Sequence, residues 1–286
     1  MSEFRIFIGF FWGAFRRILK NRTAILFGIL LTVGSSEYLS SLFETGAPLE
    51  RYRAEIVTLI ETNPILMLAV PLILGVSTFA KGGLIIALSG KNPAIRTATK
   101  KSATLFPKLF ALEMLFLLSV FIVLATLLLP AMLTQENSSL GLNLAFLGLA
   151  IFLPILLVLT FVEIYAFFHL TLSETTLGSS VKLSYALFMR RSATSIVFGA
   201  TSLLILIAVS LLAGIFLGIG NALIPESVGR SVGIITALFL IQSGLTIVQK
   251  DAWLSFFRFI GMEKKEEESP SQEQENMIQK EVPEVG

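Results

Sequence analysis

Apolar residues in this chain come in long runs, without the short alternation of half-buried strands. The stretch 109–133, LFALEMLFLLSVFIVLATLLLPAML, carries a single charge and exceeds the roughly 20 residues that cross a hydrocarbon core about 30 Å thick. Such runs predict six spans, at 23–43, 64–87, 105–133, 140–172, 193–224 and 232–249. The first is the weakest. Its uninterrupted part ends at Gly34, before Ser35, Ser36 and Glu37, and the flank of Arg16, Arg17, Lys20 and Arg22 also suits a cleaved leader. The charge pattern decides for a retained helix. With the N-terminus inside, the inner segments are 1–22, 81–108, 173–192 and 250–286, and of the 22 Lys and Arg only Arg51, Arg53 and Arg230 fall elsewhere. The expected fold is all-α: a polytopic integral membrane protein of six transmembrane helices with both ends cytoplasmic.

The inner segments carry a second pattern. In FRIFIGFFWGAFRRILK, Phe4, Ile8, Phe11, Phe15 and Ile18 share one helical face, while Arg5, Gly9, Arg16 and Lys20 occupy another. This predicts a helix lying on the membrane surface. In NPAIRTATKKSATLF, Asn92 and Pro93 suit the N-cap and first helical position, Arg96, Lys100 and Lys101 form the polar side, and Pro107 marks a bend into the third span. From Leu177, the residues Val181, Tyr185 and Phe188 continue one face, opposite Ser179, Lys182 and Arg190. Three amphipathic elbow helices, each followed by a hairpin, predict three pseudo-repeats in a membrane domain at 1–260, with units near 1–90, 91–172 and 173–260. In the third elbow Ser173 or Thr171 is the expected cap, with Glu174 in the first turn.

Outside the spans, 44–63 is expected to contain an interfacial helix from Pro48 with an Arg51–Glu55 pair. Trp253, Phe256, Phe257 and Arg258 read as an aromatic and basic anchor at the inner interface. The segment 261–286, poor in apolar residues and rich in glutamate, reads as a disordered acidic tail.

Composition sharpens this picture. The chain is 54% hydrophobic and 15% charged, with a mean hydropathy of +0.81, outside the range of soluble domains. Its formal charge of +2 includes the acidic tail, so the rest of the chain is strongly basic. Arg16, Arg17, Lys20, Arg96, Lys100, Lys101, Lys182, Arg190 and Arg191 are therefore candidate contacts for anionic membrane lipids, the amphipathic setting arguing against nucleic acid.

Ionisable residues inside hydrocarbon are costly and so are candidates for function. Glu113, Glu163 and His169 meet that description, and each has a structural reading beside the functional one. Glu113 lies near the inner elbow and its basic residues. Glu163 sits deepest, which makes it the candidate among the three for an ion- or proton-linked role. His169 is about 120° around the helix from Glu163, and shares a face with Tyr165 near the headgroups. Lys81 is expected to extend to the inner headgroups with no special role. One His, one Asp and no Cys leave no Ser-His-Asp triad, paired-aspartate site or zinc site, and no metal or cofactor is expected. GIFLGIG at 214–220 reads as a helix packing face on Gly214 and Gly218, not a phosphate loop.

Two stretches carry a family resemblance: GGLIIAL at 82–88, and LSETTLGSSVKLSYALFMRR at 172–191, where Glu174, Ser184 and Leu187 match the pattern. The chain resembles the membrane-domain family of glycerophosphoryl diester phosphodiesterases and its bacterial six-helix relatives. The resemblance implies a membrane module of a bacterial inner membrane, since catalysis in that family belongs to a separate soluble domain. The expected function is non-enzymatic, as a lipid-interacting or scaffold protein. The alternative is a small-solute or ion transporter using Glu163 and Glu113.

Overall fold

The computed structural model describes residues 2–18, 20–33, 69–90, 93–134, 138–223 and 228–280. Among these the chain forms eight helices and no strand: α1 (Ser2–Ile18), α2 (Arg22–Val33), α3 (Ala69–Ser89), α4 (Ile95–Leu133), α5 (Ser138–Ser173), α6 (Leu177–Arg190), α7 (Ser192–Leu223) and α8 (Val228–Lys280). Four stretches are long and apolar enough to cross a membrane, Pro71–Ser89, Ile95–Leu133, Ser139–Ser173 and Ser192–Phe216. The protein is an all-helical membrane protein on that ground. The first expected span begins as α2, which is apolar but only 12 residues long. Its remainder at 34–43, and the outer segment 44–63 with its expected helix and Arg51–Glu55 pair, lie outside the described residues. The sixth expected span falls within α8.

A few contacts fix the directions of the helices. Asn21 donates from Nδ2 to the carbonyl of Ala87 (2.9 Å), and Thr23 donates to the carbonyl of Pro93 (2.8 Å), so α2 starts where α3 ends and α4 begins. An ion pair between Lys101 and Glu174 (2.9 Å) sets the start of α4 beside the end of α5. Tyr165 donates to Ser195 (2.7 Å), joining the last turns of α5 to the first of α7. Arg258 donates to the carbonyl of Ser89 (3.0 Å), and Arg17 pairs with Asp251 (2.9 Å), which brings α8 to the same end. Four helix junctions and the middle of α8 thus meet at one end of the bundle. The positions Lys101–Glu174, Glu113–Glu163 and Leu127–Gly148 follow one antiparallel register of α4 against α5. Steps up α4 are matched by similar steps down α5.

Packing at this end is aromatic. Phe198 of α7 stacks on Phe256 of α8, with ring centroids 4.1 Å apart and planes within 7°. Phe7 of α1 meets both rings edge-on, and Trp253 meets Phe198 edge-on at 4.9 Å. Between apolar helices in lipid, such close contact supplies the stabilisation that exclusion of water supplies elsewhere. Trp253 and Phe256, expected at the headgroups, are therefore core residues.

Three other expectations differ. The second elbow is not a separate helix: α4 runs unbroken for 39 residues with Pro107 inside it. Ala98, Ser102, Leu105, Leu109, Leu112 and Phe116 keep one buried stripe through the proline, so packing holds both halves in line despite the missing N–H. Its N-cap is Ala94 with no side-chain bond, and Asn92 lies outside the described residues. In α1 the buried face is Phe7, Phe11, Ala14 and Ile18, while Phe4, Ile8, Trp12 and Phe15 are exposed. Lastly, the backbone of α8 continues to Lys280, where composition predicts a disordered tail; its Glu, Lys and Gln residues are all good helix formers.

Candidate functional site

Lys81, Glu113 and Glu163 come from α3, α4 and α5 and meet inside the bundle. Lys81 Nζ lies 2.9 Å from Glu113 Oε1 and 3.4 Å from Glu163 Oε1. All three side chains are largely shielded, at 16%, 11% and 29% exposure respectively. Thr78, one turn before Lys81, donates its hydroxyl to Glu113 and to the carbonyl of Leu74. The ammonium also sits over the ring of Phe167, 4.3 Å from its centre. Counting back from the helix ends at 1.5 Å per residue, Lys81 lies about 12 Å below Ser89 and Glu163 about 15 Å below Ser173. All three residues fall inside the apolar stretches Pro71–Ser89, Ile95–Leu133 and Ser139–Ser173 that are long enough to cross a membrane.

The sequence marks both carboxylates and misses the lysine that joins them. Ala80, Gly82 and Gly83 surround Lys81, and small residues of that kind mark a face packed against other helices, where a lysine cannot reach the headgroups. A Cβ on Gly82 would meet Leu109 at 2.7 Å and Ser102 at 3.1 Å. Two carboxylates and one ammonium leave the cluster one negative charge in excess, formally. His169 takes no part. It is half-buried, with its ring edge-on to Phe257 at 5.0 Å, and Tyr165 leans on the same Phe257 at 5.9 Å from a fully buried position.

The basic residues gather at the end where the helix junctions meet. Arg16 lies over Trp12 at 5.2 Å, while Lys20, Arg96, Lys100, Lys182 and Arg190 are exposed. Arg17 is engaged with Asp251 and with the hydroxyl of Ser255 (3.0 Å). Arg96, Lys100, Lys101 and Glu174 line one cleft of about 460 Å³. Arg190 and Arg191 line another, of about 320 Å³, together with His169 and Arg258.

The motif residues separate. Glu174 does not enter the first turn of α6: it sits between helices at φ 52°, in the left-handed region, and pairs with Lys101, which holds its carboxyl below the ordinary value. Thr176 caps α6 instead, accepting from the amide of Ser179, while Thr171 and Ser173 belong to α5. Ser184 is buried with Ser180 and Phe188 on the inner face of α6, and Leu187 is half-buried. Tyr185, expected on that face, is exposed.

Asp251 allows a test by pH. Burial raises its carboxyl above the ordinary 3.8, even though Arg17 and Arg258 pull it down. A raised carboxyl makes folding take up a proton, so this group's contribution to stability is fully present below pH 3.8 and is lost as pH rises through the folded-state value. Asp251→Asn is therefore expected to keep or raise the melting temperature at pH 7 and to flatten the decline that sets in above pH 3.8. A lower melting temperature at pH 7 would mean that the Arg17 pair outweighs burial.

Comparison with protein-family models, characterised proteins and solved structures finds no match for this chain.

Proposed function

We propose that this is a non-enzymatic, six-span protein of a bacterial inner membrane, with both termini cytoplasmic and a basic inner end that holds anionic lipid. The observation that carries the reading is the convergence of the helix junctions and their basic residues at one end of the bundle. Basic residues near span ends belong on the cytoplasmic side, where anionic headgroups attract them at about 1 kcal/mol each. The uncovered apolar face of α1 beside Arg16 fits an interfacial helix on that surface. In this reading the three units would start from two separate elbows, α1 and α6, and one fused into α4. The resemblance of 172–191 to the phosphodiesterase membrane-domain family accords with a module lacking its own catalysis. Lipid extracted with purified wild type is expected to contain several-fold more phosphatidylglycerol and cardiolipin than lipid extracted with a Lys100→Gln, Lys101→Gln, Arg190→Gln, Arg191→Gln variant. Equal anionic content in the two would overturn the reading.

A second reading, an ion or small-solute transporter, is favoured by the meeting of Glu113 and Glu163 at Lys81. The excess negative charge is what a transported cation would balance. Proteoliposomes with sodium, potassium or proton gradients test it: a carrier shows a flux that Glu163→Gln abolishes, and no flux under any gradient sinks the reading.

A further inference from the structure

Two counts at the buried cluster each come out one proton short. The first is of charge. Glu113 and Glu163 bring two carboxylates, and Lys81, at 2.9 and 3.4 Å, is the cation bonded to them among the described contacts. A carboxylate shielded from water and left without a partner charge is costly, and a proton removes that cost. The second count is of hydrogens. Thr78 is fully buried, and its Oγ1 is bonded to two oxygens, the carbonyl of Leu74 at 2.8 Å and Oε2 of Glu113. A threonine hydroxyl has one hydrogen to give. With Glu113 ionised, that hydrogen is divided between two acceptors. A proton on Oε2 supplies the second. Thr78 then accepts from Glu113 and donates to Leu74, as Thr126, Thr160, Thr171 and Thr246 donate to the carbonyl one turn back in their own helices.

We propose that the cluster binds one proton, carried on Oε2 of Glu113 and donated to Oγ1 of Thr78. The step adds H⁺ to a carboxylate oxygen and later removes it from the same atom, and the bound state leaves Lys81 and Glu163 as a one-to-one ion pair. Oε1 of the acid remains an acceptor, so the bond from Lys81 is kept. Glu163 is the weaker host, being 29% exposed against 11% for Glu113 and bonded to no hydroxyl among the described contacts. The helices packed along α4 are α3 and α5. From α3 Glu113 faces Lys81, and from α5 it faces Glu163 across Lys81. Lys182 and Tyr185 of α6 line a cleft with Leu115 and Phe116, without a described bond to Glu113. Resting on the transporter reading above, this makes the coupled cation a proton. Lys81 already takes Oε1 of each carboxylate, and a proton needs only the one oxygen that remains beside Thr78.

Infrared spectra of the full chain in detergent at neutral pH test the site. Wild type minus Glu113→Gln is expected to show a protonated-carboxyl stretch that moves to lower frequency in deuterium oxide and on carbon-13 labelling of glutamate. Glu163→Gln is expected to remove the band as well, because Lys81 then balances Glu113 as a carboxylate. Thr78→Val is expected to keep the band and move it to higher frequency, since the acid loses its acceptor, and Thr78→Ser to return it. The carbon-13 shift needs no variant, and its absence in wild type overturns the proposal whether or not the variants fold. A band that survives Glu113→Gln overturns it too. A band unmoved by Thr78→Val places the proton on Glu163 and overturns the assignment to Glu113. The transporter reading is judged separately, by flux in the proteoliposomes. A band without proton flux keeps the site and sinks that reading, whereas sodium or potassium flux abolished by Glu163→Gln, with no band, keeps that reading and overturns the proton.

Discussion

Lys81→Met is expected to be the most damaging single substitution in the bundle, with a loss of about 3–5 kcal/mol and little monodisperse protein recovered from the membrane. The lysine is the only cation bonded to Glu113 and Glu163 among the described contacts, at 2.9 and 3.4 Å. Removing it leaves two shielded carboxylates facing one another, each without the charge that justified its burial. The second half of the prediction separates a broken ion pair from a lost packing contact. Lys81→Met combined with Glu113→Gln and Glu163→Gln is expected to recover most of the loss, because replacing a whole buried ion cluster by neutral residues is often neutral or stabilising. Melting temperature in detergent and recovery by size exclusion read both variants. A triple variant as damaged as the single one would show that Lys81 acts through its contact with Phe167, not through charge.

That cluster also shows where sequence was sufficient and where it was not. The cost of charge in hydrocarbon was enough to single out Glu113 and Glu163, and long apolar runs were enough to place α3, α4, α5 and α7. Lys81 was hidden by the reach of its own side chain: a lysine near a span end ordinarily finds the headgroups. Its depth relative to Ser89 and its flanking glycines were the legible signals that it does not. The buried faces of α1 and α6 were harder to read, because Ile6, Ile8, Phe10 and Trp12 extend apolar residues around α1 well beyond the buried Phe7 and Phe11. In water, polarity would distinguish the inner face from the outer, but against lipid both can be apolar and only shape decides. Hence the small Ser180 and Ser184, not Tyr185, face inward on α6.

Shape likewise decides the glycines, and Gly148→Ala is the second large effect expected. A Cβ at Gly148 would stand 2.7 Å from the carbonyl oxygen of Leu127 and 3.3 Å from its carbon, so α5 approaches the backbone of α4 itself at this point. Side chains that crowd Gly28 and Gly83 can rotate, but a helix carbonyl can give way only if the helix moves. Overpacking of this kind costs about 1–3 kcal/mol. Gly214 and Gly218, the glycine pair the sequence favours as a packing face, would have nothing within 4 Å of an added Cβ among the described residues, and Gly214 borders an apolar cleft of α7. Gly214→Ala is therefore expected to change the melting temperature little, or to raise it slightly through better helix propensity. The register of α4 against α5 extends the consequence: Leu127–Gly148 lies on the same line as Glu113–Glu163 and Lys101–Glu174, so separating the helices at the first pair tilts them at the second. Gly148→Ala is expected to lose part of its effect in the background of the neutralised triple variant, where no ion pair depends on that tilt. Strictly additive losses in melting free energy would show that the glycine contact and the charge cluster are independent.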